Sequence, residues 1–154
     1  MEFNKLNIVL FKPEIAMNVG NIMRTCSCLD LTLHLIEPFG FPLGKHGFFP
    51  TSKDKRTAMD YECRWYKYNS WECFLKEIPS NGRLIGITPH TSLKINEIKF
   101  KDNDILIFGR ESDGFDDESH GQMNILASIP MAPHQRSFNV TTSIAIVLGS
   151  IFIY

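Results

Sequence analysis

Phe108-Gly109-Arg110-Glu111-Ser112-Asp113-Gly114 decides how this chain is read. It follows directly on the apolar run Asp104–Phe108 and sets two glycines among charged residues where a strand would otherwise continue. A short apolar run cut off by glycine is the pattern of a buried parallel strand ending in a loop. Two other segments have the same character. Asn18-Val19-Gly20-Asn21-Ile22-Met23-Arg24 comes soon after the strand-like Ile8-Val9-Leu10-Phe11, which Lys12-Pro13 ends. Arg136-Ser137-Phe138-Asn139-Val140-Thr141 follows Ile129-Pro130-Met131 and leads into an apolar C-terminal stretch.

Outward from these segments the chain alternates. Asn18 or Asn21 can cap a helix whose Ile22, Met23, Cys26 and Leu29 recur at helical spacing. Leu31–Glu37 reads as a second strand, and residues 38–44, rich in Pro, Gly and Phe, as a loop. Lys53–Asp60 is a candidate polar helix, Cys63–Tyr68 an aromatic strand, and Ser70 the cap of a helix through Lys76 with Trp71, Phe74 and Leu75 on one face. Arg83–Thr88, Asp104–Phe108 and the shorter Ile125–Pro130 are further strands, and Phe138–Tyr154 is a closing helix. Strands alternating with helices imply an α/β fold, a mainly parallel sheet with helices on both faces. At 154 residues, without repeats or linkers, the expected organisation is one domain over 1–154.

Composition narrows the partners. A net charge of −1 argues against a generic basic nucleic-acid coat, so any RNA affinity must come from clustered Lys and Arg. Lys53, Lys55 and Arg56, with Lys45 and His46, form the richest basic stretch, and Phe48, Phe49, Trp65 and Tyr66 lie near it in sequence. Interleaved cations and aromatics suit a splayed single-stranded RNA loop, and equally a solvated helix face beside core aromatics. The four cysteines lack zinc-ligand spacing, so no metal is expected and the thiols read as free. No secretory signal is seen and no apolar run is long enough to span a bilayer, so the expectation is a cytoplasmic protein with no membrane partner. The closing helix is apolar nearly all round. The expectation is that a second subunit covers it, making a homodimer; the alternative is a central core helix of one protomer.

In open α/β sheets ligands bind beyond the carboxyl ends of the strands, where all three segments lie. Singly, each has an ordinary reading: Gly109 and Gly114 as turns, Glu111 as a solvated carboxylate, Ser137 or Asn139 as a helix cap, Arg24 in a surface ion pair. Taken in order, Asn-x-Gly-Asn-x-x-Arg, Phe-Gly-x-Glu-x-x-Gly, and Ile-Pro-Met with Arg-Ser-x-Asn-x-Thr, the chain resembles the SpoU-like branch of the SPOUT methyltransferases. The opening Asn7-Ile8-Val9-Leu10-Phe11-Lys12-Pro13-Glu14-Ile15 and Leu35-Ile36-Glu37-Pro38-Phe39-Gly40-Phe41 look closest to the small enzymes that methylate the wobble nucleotide of tRNA.

The resemblance implies a C-terminal trefoil knot over roughly residues 84–154 and 2′-O-methylation of the ribose at cytidine or uridine 34 of tRNA. It implies S-adenosyl-L-methionine as cofactor, held by Ile87, Gly109, Ile129, Met131 and Ser137. It makes Arg24, Glu111 and Asn139 the catalytic candidates, with Asn18, Lys53, Lys55 and Arg56 on the RNA. An arginine is protonated at physiological pH, so Arg24 suits a phosphate clamp and alkoxide stabiliser better than a general base. Thr141 stands where the family's third motif usually has serine. A ribosomal RNA 2′-O-methyltransferase and a non-catalytic dimeric RNA-binding protein are the alternative readings.

Overall fold

The computed structural model describes residues 6–42 and 63–153. Among these, the apolar runs become β1 (Asn7–Phe11), β2 (Thr32–Ile36), β3 (Arg64–Tyr68), β4 (Arg83–Ile87), β5 (Asp104–Phe108) and β6 (Ile125–Ala127). They form one sheet in the order β3-β2-β1-β5-β4-β6 with every neighbouring pair parallel. The helices are α1 (Ala16–Cys28), α2 (Trp71–Glu77), α3 (Asp117–Gly121) and α4 (Val140–Phe152), with a 3-10 turn at Ile95–Glu97.

Side chains alternate across each central strand, so every second residue enters one of two cores. Ile8, Leu10, Leu33, Leu35, Leu106 and Phe108 meet Val19, Ile22, Met23 and Cys26 of α1 and Ile144, Val147 and Leu148 of α4. Val9, Phe11, Ile36, Ile105 and Ile107 face the other way, onto Trp71 and Phe74 of α2. Helices on both faces explain why β1, β2 and β5 are buried along their whole length. At the start of β4 and β5, Arg83 makes a two-pronged ion pair with buried Asp104, at 2.8 and 2.7 Å. That pair fixes the register of Arg83 against Asp104.

Polar residues inside the second core are satisfied. His34 on β2 sits between Asn7 Oδ1, 3.0 Å from Nε2, and the Tyr68 hydroxyl, 2.9 Å from Nδ1. A neutral ring that donates from Nε2 and accepts at Nδ1 completes both bonds. Burial lowers the His34 pKa to about 4, and burial likewise pushes the Tyr68 hydroxyl up.

Several expectations are corrected at their edges. Neither Asn18 nor Asn21 caps α1: the helix starts earlier, with Ile15 at the cap position and no side-chain cap bond. Asn18 is buried inside the first turn, engaged in tertiary bonds described below. α4 starts at Val140 rather than Phe138, because Asn139 is the cap and accepts from Thr141 N at 2.8 Å. β6 ends at Ala127, after which Ser128 turns to bond the segment around Leu93–Lys94. Ser70 caps α2 as expected, accepting from Cys73 N at 3.2 Å. The candidate helix at residues 53–60 lies outside the described residues.

Candidate active site

All strands run the same way, so the segments that follow β1, β2, β4, β5 and β6 share one edge of the sheet. Two backbone approaches pull these segments together. Gly40 N donates to Pro13 O at 3.0 Å, and a Cβ at Gly40 would come within 2.7 Å of Glu14 Cα. Arg110 and Gly114 exchange both backbone hydrogen bonds, at 3.0 and 3.1 Å, which closes the turn after β5. A Cβ at Gly109 would meet Gly114 Cα at 2.6 Å, and Gly114 itself has φ +71. Only glycine fits the first position without moving backbone, and glycine is favoured at the second.

A continuous hydrogen-bonded chain crosses this edge. Asn139 Nδ2 donates to Asn18 Oδ1 at 3.3 Å, and the Thr141 hydroxyl reaches the same oxygen at 3.4 Å. Asn18 Nδ2 donates to Glu111 Oε1 at 3.1 Å, and Glu14 N donates to Glu111 Oε2 at 2.9 Å. Glu14 answers with its own carboxylate, accepting from Ser112 N at 2.9 Å and Ser112 Oγ at 2.8 Å. The start of α4, the first turn of α1 and the turn after β5 are thereby one polar unit, made from positions about a hundred residues apart. Just outside it, Lys12 Nζ pairs with Asp116 Oδ2 at 2.9 Å. Burial alone would raise the Asp116 pKa, but the Ser119 hydroxyl and N–H and the Lys12 ammonium outweigh it and hold the carboxyl down at about 2.

Of the residues named from sequence, Asn18, Glu111 and Asn139 are joined directly. Arg24 lies further along α1 and is exposed. Ile87 ends β4, opposite both Phe108 and Ala127 in the two neighbouring strands. The ends of β5, β4 and β6 therefore lie side by side, with Gly109 and Ser128 flanking Thr88, whose N–H bonds Ala127 O at 2.9 Å. Ile129 is buried, Met131 partly so, and Ser137 is exposed ahead of the α4 cap. Lys53, Lys55 and Arg56, with Lys45, His46, Phe48 and Phe49, lie outside the described residues. Trp65 and Tyr66 are on the edge strand β3, partly exposed.

Glu14 and Ser112 were not singled out by type or spacing. Their pairing spans the chain, and the only local sign was an acidic residue just beyond Lys12-Pro13 at a strand end. Among the described residues, no three His, Cys, Asp or Glu side chains gather to hold a metal ion, and no helix is long and apolar enough to cross a membrane.

Known proteins share this fold. A model of the SpoU rRNA Methylase family matches residues 5–149. The tRNA (cytidine(34)-2'-O)-methyltransferase of Beijerinckia indica subsp. indica is 32% identical over 145 residues, which is 92% of this chain and 87% of that protein. A solved structure described as giving structural insights into the 2-OH methylation of C/U34 on tRNA superposes with a TM-score of 0.83 at 31% identity. That match covers 96% of this chain and 93% of the other. The SpoU methyltransferase AviRb of Streptomyces viridochromogenes, solved in complex with AdoMet, has the same fold at 18% identity and a TM-score of 0.81, covering 98% of this chain and 58% of its own.

Proposed function

The chain belongs to the SpoU rRNA methylase family, and from that membership we infer that it methylates the ribose 2′-hydroxyl of the tRNA wobble nucleotide, cytidine or uridine 34. The observation that carries this reading is the bonded chain Thr141/Asn139–Asn18–Glu111–Glu14, which unites the three marked segments at the ligand-binding edge of the sheet. The relatives named for position 34 match this chain along nearly their full length.

S-adenosyl-L-methionine fits the residues at this edge. Three strand ends lie side by side at Ile87, Phe108 and Ala127, and Gly109 offers backbone without a side chain next to the branched Ile87. Apolar side chains and accessible backbone groups suit an adenosine. Ile87, Gly109, Ile129, Met131 and Ser137 would hold the cofactor, which supplies an electrophilic methyl group when bound. Glu111 and Asn139 act on the reaction by fixing Asn18 and the α1 turn. Arg24 clamps the phosphate beside the target ribose and stabilises negative charge as the 2′-oxygen loses its proton. Lys53, Lys55 and Arg56 supply phosphate contacts to the anticodon arm, and Asn18 adds to the RNA-facing edge.

The same reading includes one domain over 1–154 with a trefoil knot across residues 84–154. It is supported by β4 lying between β5 and β6 and by Ser128 bonding the backbone of Leu93 at 2.8 Å before the chain returns to α4. A homodimer belongs to the same reading, supported by apolar groups left at the surface: Met17 is 74% exposed, Phe152 51% and Ile153 78%. With tRNA as substrate the protein works in the cytoplasm.

The test is methyl transfer from labelled S-adenosylmethionine to unmodified bulk tRNA. We expect 2′-O-methylated nucleoside in the digest, and a rate lowered by about 100-fold or more in Arg24→Ala, with cofactor affinity kept. Cofactor binding without transfer to any tRNA would contradict the substrate assignment.

A further inference from the structure

Cys26 and Cys63 meet on the α1 side of the sheet, away from the hydrogen-bonded chain that defines the site. Cys26 is fully buried, two residues beyond Arg24, and Cys63 stands just before β3, half-buried against the same apolar cluster. Backbone geometry brings them together. The parallel register pairs Thr32 with Arg64, so position 63 lies beside Leu31, and Leu31 N donates to Cys26 O at 2.8 Å. The Cys26 and Cys63 side chains are close enough for each to shift the titration of the other. Cys28 and Cys73 are exposed, and Cys73 lies on α2, which packs on the opposite face.

We propose that Cys26 and Cys63 form a peroxide-responsive modification site, in which a hydroperoxide converts the two thiols into an intramolecular disulfide tying the last turn of α1 to the start of β3. The chemistry is divided between them. The neighbouring Cys26 side chain and the nearby Arg64 guanidinium lower the Cys63 pKa against the effect of burial, favouring its thiolate. The neighbouring Cys63 side chain and burial hold Cys26 as the protonated partner. The Cys63 thiolate attacks the peroxide; an S–O bond forms, the O–O bond breaks, and the alcohol, or water from hydrogen peroxide, leaves with a proton. Cys26 then attacks the resulting sulfenic acid as it loses its proton; the S–S bond forms, the S–O bond breaks and water leaves. Overall the two thiols give up two electrons and two protons, and the peroxide is reduced. This inference is independent of the assigned substrate.

The experiment treats the intact, folded protein with hydrogen peroxide, blocks remaining thiols and maps the digest by mass spectrometry. A peptide joining Cys26 to Cys63, with two hydrogens lost and dithiothreitol restoring both thiols, is the expected result. In Cys26→Ser, Cys63 accumulates as a sulfenic acid that dimedone traps; the wild-type map stands even if that variant folds poorly. A disulfide that uses Cys28 or Cys73 instead, or oxidation of the folded protein without the Cys26–Cys63 link, overturns the proposal.

Discussion

Asn18 lies in the first turn of α1, where asparagine is an indifferent helix former. Its side chain is instead held by Glu111, Asn139 and Thr141. Replacing it with alanine leaves half-buried polar partners short of a bond, which costs about 1–3 kcal/mol. We expect Asn18→Ala to lower the denaturation midpoint and the rate of methyl transfer together. Glu14 and Ser112 are more exposed, so their coupling is smaller: a cycle of Glu14→Ala, Ser112→Ala and the double variant should give about 0.5–1 kcal/mol, read from urea unfolding. His34 sets a pH dependence. Its folded pKa of about 4 lies below the ordinary value of 6.5, so the unfolded state takes up the proton first as the medium is acidified. Stability is complete above about pH 6.5 and declines towards pH 4, by about 3 kcal/mol in all. Denaturant titrations at pH 7 and pH 5 should show the decline, and His34→Gln should flatten it.

At the scale of elements, the turn after β5 makes the sharpest demand. Gly109→Ala drives a Cβ into the backbone of Gly114, so the turn must open. We expect an unchanged far-ultraviolet spectrum and a cofactor affinity at least about tenfold weaker, measured by calorimetry. Such elements differ in how far their sequence discloses them. β5 was readable to the residue, since its apolar run is too short for a helix and is closed by glycine. The start of α1 was not, because Asn18 and Asn21 have the composition of caps while the partners of Asn18 lie on other elements. The three segments around Arg24, Glu111 and Asn139 were legible as a set because each breaks its local pattern. Glu14–Ser112 was not, since no local rule links positions so distant in the chain. Thr141 keeps the hydroxyl that a serine would offer and still reaches Asn18, so this departure from the third motif preserves the link.

On the scale of the whole molecule, a chain of net charge −1 must recognise RNA locally. Each phosphate contact on a single strand contributes about 0.7 to the slope of log affinity against log salt. Replacing Lys53, Lys55 and Arg56 by glutamine should therefore lower that slope by up to about 2 while leaving cofactor binding intact. In the proposed homodimer a second subunit covers the apolar end of α4: Ile153→Asp should shift the protein from dimer to monomer in sedimentation, because a charge cannot be buried unpaired in an interface. The most direct measurement is single-turnover methyl transfer to a tRNA whose wobble ribose alone is replaced by 2′-deoxyribose, beside the same tRNA with all hydroxyls present. The account predicts transfer to the complete tRNA and none to the 2′-deoxy form. Equal transfer to both would contradict it, because the methyl group would then be going to another atom.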